Sequence, residues 1–243
     1  MNYLRLYLLI LFFSWPALSK PTLTVVTELS PPNQTLINNQ VAGESTELVK
    51  AIFAKANLNA NIELYPWARA YNMALKKPNI FIYSMAKTAE REKHFHWIGE
   101  VATYQMGFVK LSSRSDINIT SNEQAKQYKI AVQRHDLAAQ RLTERGYTVV
   151  YTSDINKSYQ LLMSGKVDLI IDDKNYIAAM AEQLALDEAR FSFAHTIDFL
   201  TMKGYLAANI NTDQRYIDAL KAAFNEVMRT PEYNAVMMLA QRP

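Results

Sequence analysis

Ile80-Phe81-Ile82-Tyr83-Ser84-Met85-Ala86-Lys87-Thr88-Ala89-Glu90-Arg91, followed at position 97 by a tryptophan, is the run around which this chain is organised. Residues 80–83 have the apolar, β-branched and aromatic content of a strand. A short polar turn follows, and Thr88 is suited to cap a helix whose first turn carries Glu90 and Arg91. An arginine fixed between a strand end and a helix start can meet a carboxylate with its planar fork. Spacing alone favours a plainer reading, a surface arginine paired with Glu90 or Glu92.

Strand and helix patterns alternate on both sides of this run, which points to an α/β fold. Upstream, 22–27 reads as a strand and 44–56 as a helix with Leu48, Val49, Ile52 and Phe53 on one stripe. A short strand at 61–65 and a helix at 68–76, stopped by Pro78, complete that part. Downstream, 105–111 reads as a strand and 112–122 as a polar loop. A second series then occupies 129–133, 137–145, 148–152, 155–164, 167–171 and 176–184, with Gly165 suited to a helix C-cap. Strands are expected at 192–199 and 204–208. An amphipathic helix at 213–227 carries Ile217, Leu220, Phe224 and Val227, and Pro231 opens a last short one.

With 243 residues, 49% hydrophobic and 20% charged, the chain has the composition of a globular protein long enough for one large core or two modest ones. The net charge of +3 is spread without long runs, so no nucleic-acid partner is expected. Arg5, the apolar stretch 6–15 and the small residues Ala17 and Ser19 form a secretory signal peptide, 1–19, with cleavage after Ser19. The apolar stretch is too short to span a bilayer comfortably. There is no cysteine, which excludes a disulfide scaffold and a lipoprotein anchor, so a soluble periplasmic protein is expected.

Strand, small residue, Thr-x-Glu-Arg and then an aromatic near the sixth position after the arginine resemble the signature of the periplasmic type II solute-binding proteins of the amino-acid-binding family, the receptors of ABC transporters. The resemblance runs over the whole mature chain. It implies a two-lobed fold with two crossover hinge strands, lobe 1 at 20–110 plus 202–243 and lobe 2 at 111–201, the ligand lying in the cleft between them. By the same resemblance Arg91 clamps a carboxylate and Ser84 contacts ligand. Ala86 stands where many relatives carry a hydroxyl. The run Gly165-Lys166-Val167-Asp168-Leu169-Ile170-Ile171-Asp172-Asp173 resembles the strand whose terminal aspartate takes the ligand ammonium, which assigns Asp173 that role beside Asp172.

Gln133-Arg134-His135-Asp136 matches the second-lobe region where a helix N-terminus faces the ligand; Arg134 would add a positive contact, and Asp136 is suited to cap the helix. Pro66-Trp67-Ala68-Arg69-Ala70 resembles an element of a divergent branch. With no aromatic in the loop 28–32, Trp67 can stack on the ligand or pack in the core, and Glu28 can line the same cleft. His94 and His96 alternate on a strand, but no third ligand with suitable spacing supports a metal. No nucleophile elbow, phosphate loop or zinc-protease helix occurs, so neither enzyme activity nor a cofactor is expected.

The expected function is a monomeric receptor that closes on a small polar solute, an amino acid or related amine, for a membrane transporter or sensor. The alternatives are a dehydratase-like enzyme on the same scaffold and a sensory or interaction module that no longer binds solute.

Overall fold

The strand that leads to Arg91 belongs to the first of two parallel triplets in one mixed sheet. The computed structural model describes residues 22–238, so the signal-peptide reading at 1–19 lies outside the described residues. The first triplet is built from β1 (Thr22–Thr27), β4 (Asn59–Leu64) and β5 (Ile80–Ala86). Between β1 and β4 lie a small hairpin, β2 (Thr35–Ile37) and β3 (Gln40–Ala42), and helix α1 (Glu44–Lys55). The hairpin was not legible as strands. Its turn is Asn38-Asn39, both at positive φ, a conformation asparagine tolerates better than most residues. Helix α2 (Trp67–Lys76) joins β4 to β5, and the one-turn helix α3 (Ala89–Glu92) carries the arginine.

The long strand β6 (Phe95–Leu111) then leads to the second half. There β7 (Lys129–Gln133), α4 (Leu137–Glu144), β8 (Thr148–Thr152), α5 (Ile155–Met163), β9 (Leu169–Asp173) and α6 (Ile177–Gln183) follow in turn. A second long strand, β10 (Phe191–Asn209), returns to the first half, and α7 (Gln214–Val227) and α8 (Pro231–Met237) close the described chain. The sheet order is β4-β1-β5-β10-β6-β9-β7-β8. Each triplet therefore has its earliest strand in the middle, and the antiparallel pair β10–β6 joins the triplets.

Both long strands had been expected as shorter pieces. The reason in β10 is a register break: Thr196 pairs with Gly107 and Thr201 with Gln105, so residues 197–200 leave the ladder. Ile197 and Leu200 use that excursion to reach full burial beside Phe108. Apolar alternation therefore fails where the strand is longest.

Four apolar clusters cover the two faces of the two halves. In the first half, Val49, Ile52 and Phe53 of α1 meet Ile217, Leu220 and Phe224 of α7 over one face, each such side chain contributing about 1.5–3 kcal/mol on burial. Helix α2 covers the other face with Ala70 and Ala74. In the second half α4 covers one face, and α5 with α6 the other. Leu29, which follows β1, packs into this last cluster although it belongs to the first half.

Candidate functional site

The C-terminal ends of β1, β5, β7 and β9 converge where the two halves meet and enclose a cavity of about 70 Å³. The first half contributes Glu28, Trp67, Ser84, Ala86 and Arg91 to its wall; the second half contributes Gln133, Asp136 and Asp172. Such strand ends are where ligands bind in open α/β sheets.

Arg91 is 7% exposed, which removes the surface reading of this side chain. Thr88 caps α3 as expected, its Oγ1 accepting the Arg91 N–H at 3.2 Å, and this fixes the arginine backbone. The strand runs further than expected, through Ser84 to Ala86, so the turn before the cap is only Lys87-Thr88. Lys87, not Arg91, takes Glu92, at 2.9 Å. The guanidinium lies between two rings, 5.2 Å from the centroid of Trp67 and 5.1 Å from that of Tyr71. Its Nη1 donates to the Ala86 carbonyl at 3.0 Å, and its Nη2 to the His135 carbonyl of the other half at 3.4 Å.

Trp67 packs in the core, 2% exposed, and also lines the cavity. Its Nε1–H donates to the same His135 carbonyl at 2.9 Å, so one oxygen of the second half receives two donors from the first. His135 has φ 64°, which turns that carbonyl away from the continuing strand. Ser84 also has positive φ, 60°, at a bulge where β5 and β10 lose register. β10 can approach there because position 204 is glycine; a Cβ at Gly204 would meet the Ser84 Cα at 2.9 Å. The Ser84 hydroxyl accepts from the side-chain amide of Gln34.

The acidic side differs from expectation in one residue. Asp173 is absent from the wall: its Oδ2 accepts the Gln105 N–H at 2.6 Å and its Oδ1 the Asn175 N–H at 2.9 Å. It pins the end of β9 to β6 beside the register break. Asp172 is the one that borders the cavity, with Oδ2 accepting from the Tyr159 hydroxyl at 2.7 Å and Oδ1 from the Asp173 N–H at 2.8 Å. Burial pushes the Asp172 carboxyl up to about 7, against the Tyr159 hydrogen bond, which lowers it.

Asp136 caps α4 through the Leu137 N–H at 2.6 Å and borders the cavity as well. Burial raises its pKa, and burial together with the Asp136 charge raises that of Glu28 well above the usual carboxylate range. Glu28 Oε2 and Gln133 Oε1 are buried without a hydrogen-bond partner among the described residues. Arg134 is exposed and stays outside: it lines a larger outer hollow with Tyr71, Glu90 and Tyr151. His96 donates from Nε2 to the Ile210 carbonyl at 2.9 Å, away from this wall.

Sequence reasoning missed Tyr71, Tyr104, Gln133, Tyr159 and the methionines Met106, Met180 and Met202. Tyr71 had a signal, because it lies four residues after Trp67 on the same helical face. Gln133 was quoted with its neighbours but given no role. Tyr159 and the methionines carried no signal beyond core apolarity, since their strands and helices reach the cavity only through the tertiary fold.

A sequence profile of the bacterial extracellular solute-binding proteins, family 3, matches residues 23–238. Among curated protein sequences, none is significantly similar to the chain. Among solved structures, the chain is similar to a histidine kinase sensor domain with similarity to periplasmic binding proteins, at 15% identity, TM-score 0.78, and coverage of 89% of this chain and 94% of that one. It is also similar to AbpA, an amino acid ABC transporter substrate-binding protein of Streptococcus pneumoniae bound to L-arginine, at 16% identity, TM-score 0.76, and 90% and 94% coverage. Holo ArgBP of T. maritima aligns at 17% identity, TM-score 0.74, and 88% and 94% coverage. At these identities the structural neighbours establish the two-lobed type II fold. With the profile spanning nearly all of the described residues, the chain belongs to the bacterial extracellular solute-binding proteins, family 3.

Proposed function

We propose that this solute-binding protein is a receptor for an amino acid or related amine, closing its two lobes on the solute and presenting the closed form to an ABC-type transporter. The observation that carries this reading is the enclosed cavity between the halves, which joins the buried Arg91 to the carboxyls of Glu28, Asp136 and Asp172. A cation and several anions on one small wall suit a solute with fixed charges, which pays its desolvation only where every charge is met. The amino-acid transport proteins among the structural neighbours support the same class.

In this reading the lobes are 20–110 plus 202–243 and 111–201, and β6 and β10 are the hinge. The signal peptide delivers the protein to the periplasm, where it acts as a monomer without turning its ligand over. Closure is a population shift set by differential contact of the solute with the two walls. A thermal-shift screen over amino acids and amines tests the reading. A cognate solute at 100 times its Kd adds about 2.7 kcal/mol of stability. No shift with any member of a broad panel overturns it. The similarity to the kinase sensor domain favours a second reading, in which the same solute-driven closure reports to a sensor in place of a transporter.

A further inference from the structure

We infer that the cavity is built for an aliphatic solute bearing two cationic groups, one held by Asp172 and the other by the Glu28–Asp136 pair. The inference rests on the receptor reading and narrows it. Three acidic side chains border the cavity, and Arg91 is the one basic residue on its wall among the described residues. The strongest charged neighbours of Glu28 are Asp136, Arg91 and Asp154, whereas Asp172 feels chiefly Asp173. The two acidic places come from different elements: Glu28 follows β1 and Asp136 caps α4, whereas Asp172 lies at the end of β9.

Each place is short of hydrogen-bond donors. Gln133 is the one side chain whose hydrogen bonding lowers the Glu28 pKa, and Glu28 Oε2 and Gln133 Oε1 have no further partner among the described residues. Each Asp172 oxygen receives one donor, leaving half of the lone-pair sites of an ionised carboxylate open. Arg91 uses two of its five N–H donors on the carbonyls of Ala86 and His135, and its single charge is set against the two carboxyls of Glu28 and Asp136. Unmet acceptors are satisfied by N–H groups and made worse by a further carboxylate. Leu29, Met106, Ile155, Ile171, Met180 and Met202 supply the apolar part of the wall, which suits a chain of methylenes between two cations. A neutral amino acid would leave one acidic place unpaired, and an acidic one would add a negative charge to three carboxyls.

Free diamines and basic amino acids share this chemistry, and calorimetry with four probes separates them: cadaverine, L-lysine, L-norleucine and L-glutamate. L-Norleucine keeps the lysine backbone and lacks the second cation. The expected result is binding of L-lysine or cadaverine at least 30-fold tighter than of L-norleucine, with no binding of L-glutamate. Preference for L-lysine over cadaverine would add a carboxylate contact at Arg91, and the reverse would exclude one; both keep the two-cation assignment. Asp172→Asn and Glu28→Gln, which preserve shape at sites where burial already favours the neutral carboxyl, are each expected to weaken the better dication at least 10-fold while melting normally. L-Norleucine or L-glutamate binding as tightly as either dication overturns the inference, as does unchanged affinity in both variants. Absence of binding by all four also overturns it. The receptor reading survives that result if another solute shifts the melting temperature in the broad screen, and falls with it if none does.

Discussion

The two walls of the cavity are held in different ways. On the first-half wall the charge is supported from every side: Arg91 is capped at its backbone, flanked by Trp67 and Tyr71, and bonded to two carbonyls. On the second-half wall the carboxyls of Asp136 and Asp172 are supported by backbone and hydroxyl donors, with no cation in ion-pair contact among the described residues. Arg91 on the first wall is held by the protein itself, whereas Glu28 beside it keeps a buried Oε2 without a partner among the described residues, and in the proposed reading the solute completes that carboxyl and those of the second wall. Burial raises the pKa of both carboxyls.

The largest effect that can break the comparison is removal of the supported charge. Arg91→Ala removes the one cation on the wall among the described residues and is expected to cost about 2–5 kcal/mol of binding, by calorimetry, for a solute that carries a carboxylate. Unchanged affinity for such a solute would mean that Arg91 takes no part.

The second test is pH. Asp172 moves from 3.8 to about 7 on folding, so between those values the native state holds a proton that the unfolded chain has released. Stability is therefore greatest at the acid end of this window and falls as pH rises through about 7. From pH 5 to pH 8 the expected loss is about 2–3 kcal/mol, or roughly 4–10 °C in Tm. Glu28 and Asp136 act in the same direction. A melting series that rises with pH, or an Asp172→Asn variant with an undiminished slope, contradicts the picture.

Third, the adjacent aspartates should separate. Asp173→Asn sets an amide group against two backbone donors and is expected to cost about 1–3 kcal/mol of stability while changing affinity less than threefold. Asp172→Asn should do the reverse. Equal losses in both properties for both variants would erase the distinction. The smallest effect belongs to Trp67→Phe, which keeps a ring near Arg91 and removes the donor to His135. About 1 kcal/mol of closure free energy should go, seen as a severalfold weaker affinity with little change in Tm.

Where side chains followed local rules, the sequence was a good guide to the structure. The cap at Thr88, the strands at 22–27, 129–133 and 148–152, and the helices beginning at 44 and 155 depend on periodicity and capping, which neighbours in sequence determine. The choice between Asp172 and Asp173 does not. Strand β9 is buried on both faces, so alternation gives no sign of which carboxyl meets the cavity. Arg134 lines the outer hollow, one residue before the left-handed turn at His135, and nothing in the local pattern announces that turn. Tyr104, Met106 and Met202 reach the wall from the crossover strands, whose length the register break concealed.

Asp172 and Asp173 are joined by a single peptide bond; one borders the cavity, and the other holds β6, a hinge strand of the proposed receptor. Because Asp173 grips the amide of Gln105 at the register break, the detector and the joint are built as one rigid part. In the proposed receptor, a nudge delivered by a solute at Asp172 would have no slack linkage to cross before reaching the hinge strand. The geometry is that of a key whose bit and shaft are cut from the same blank.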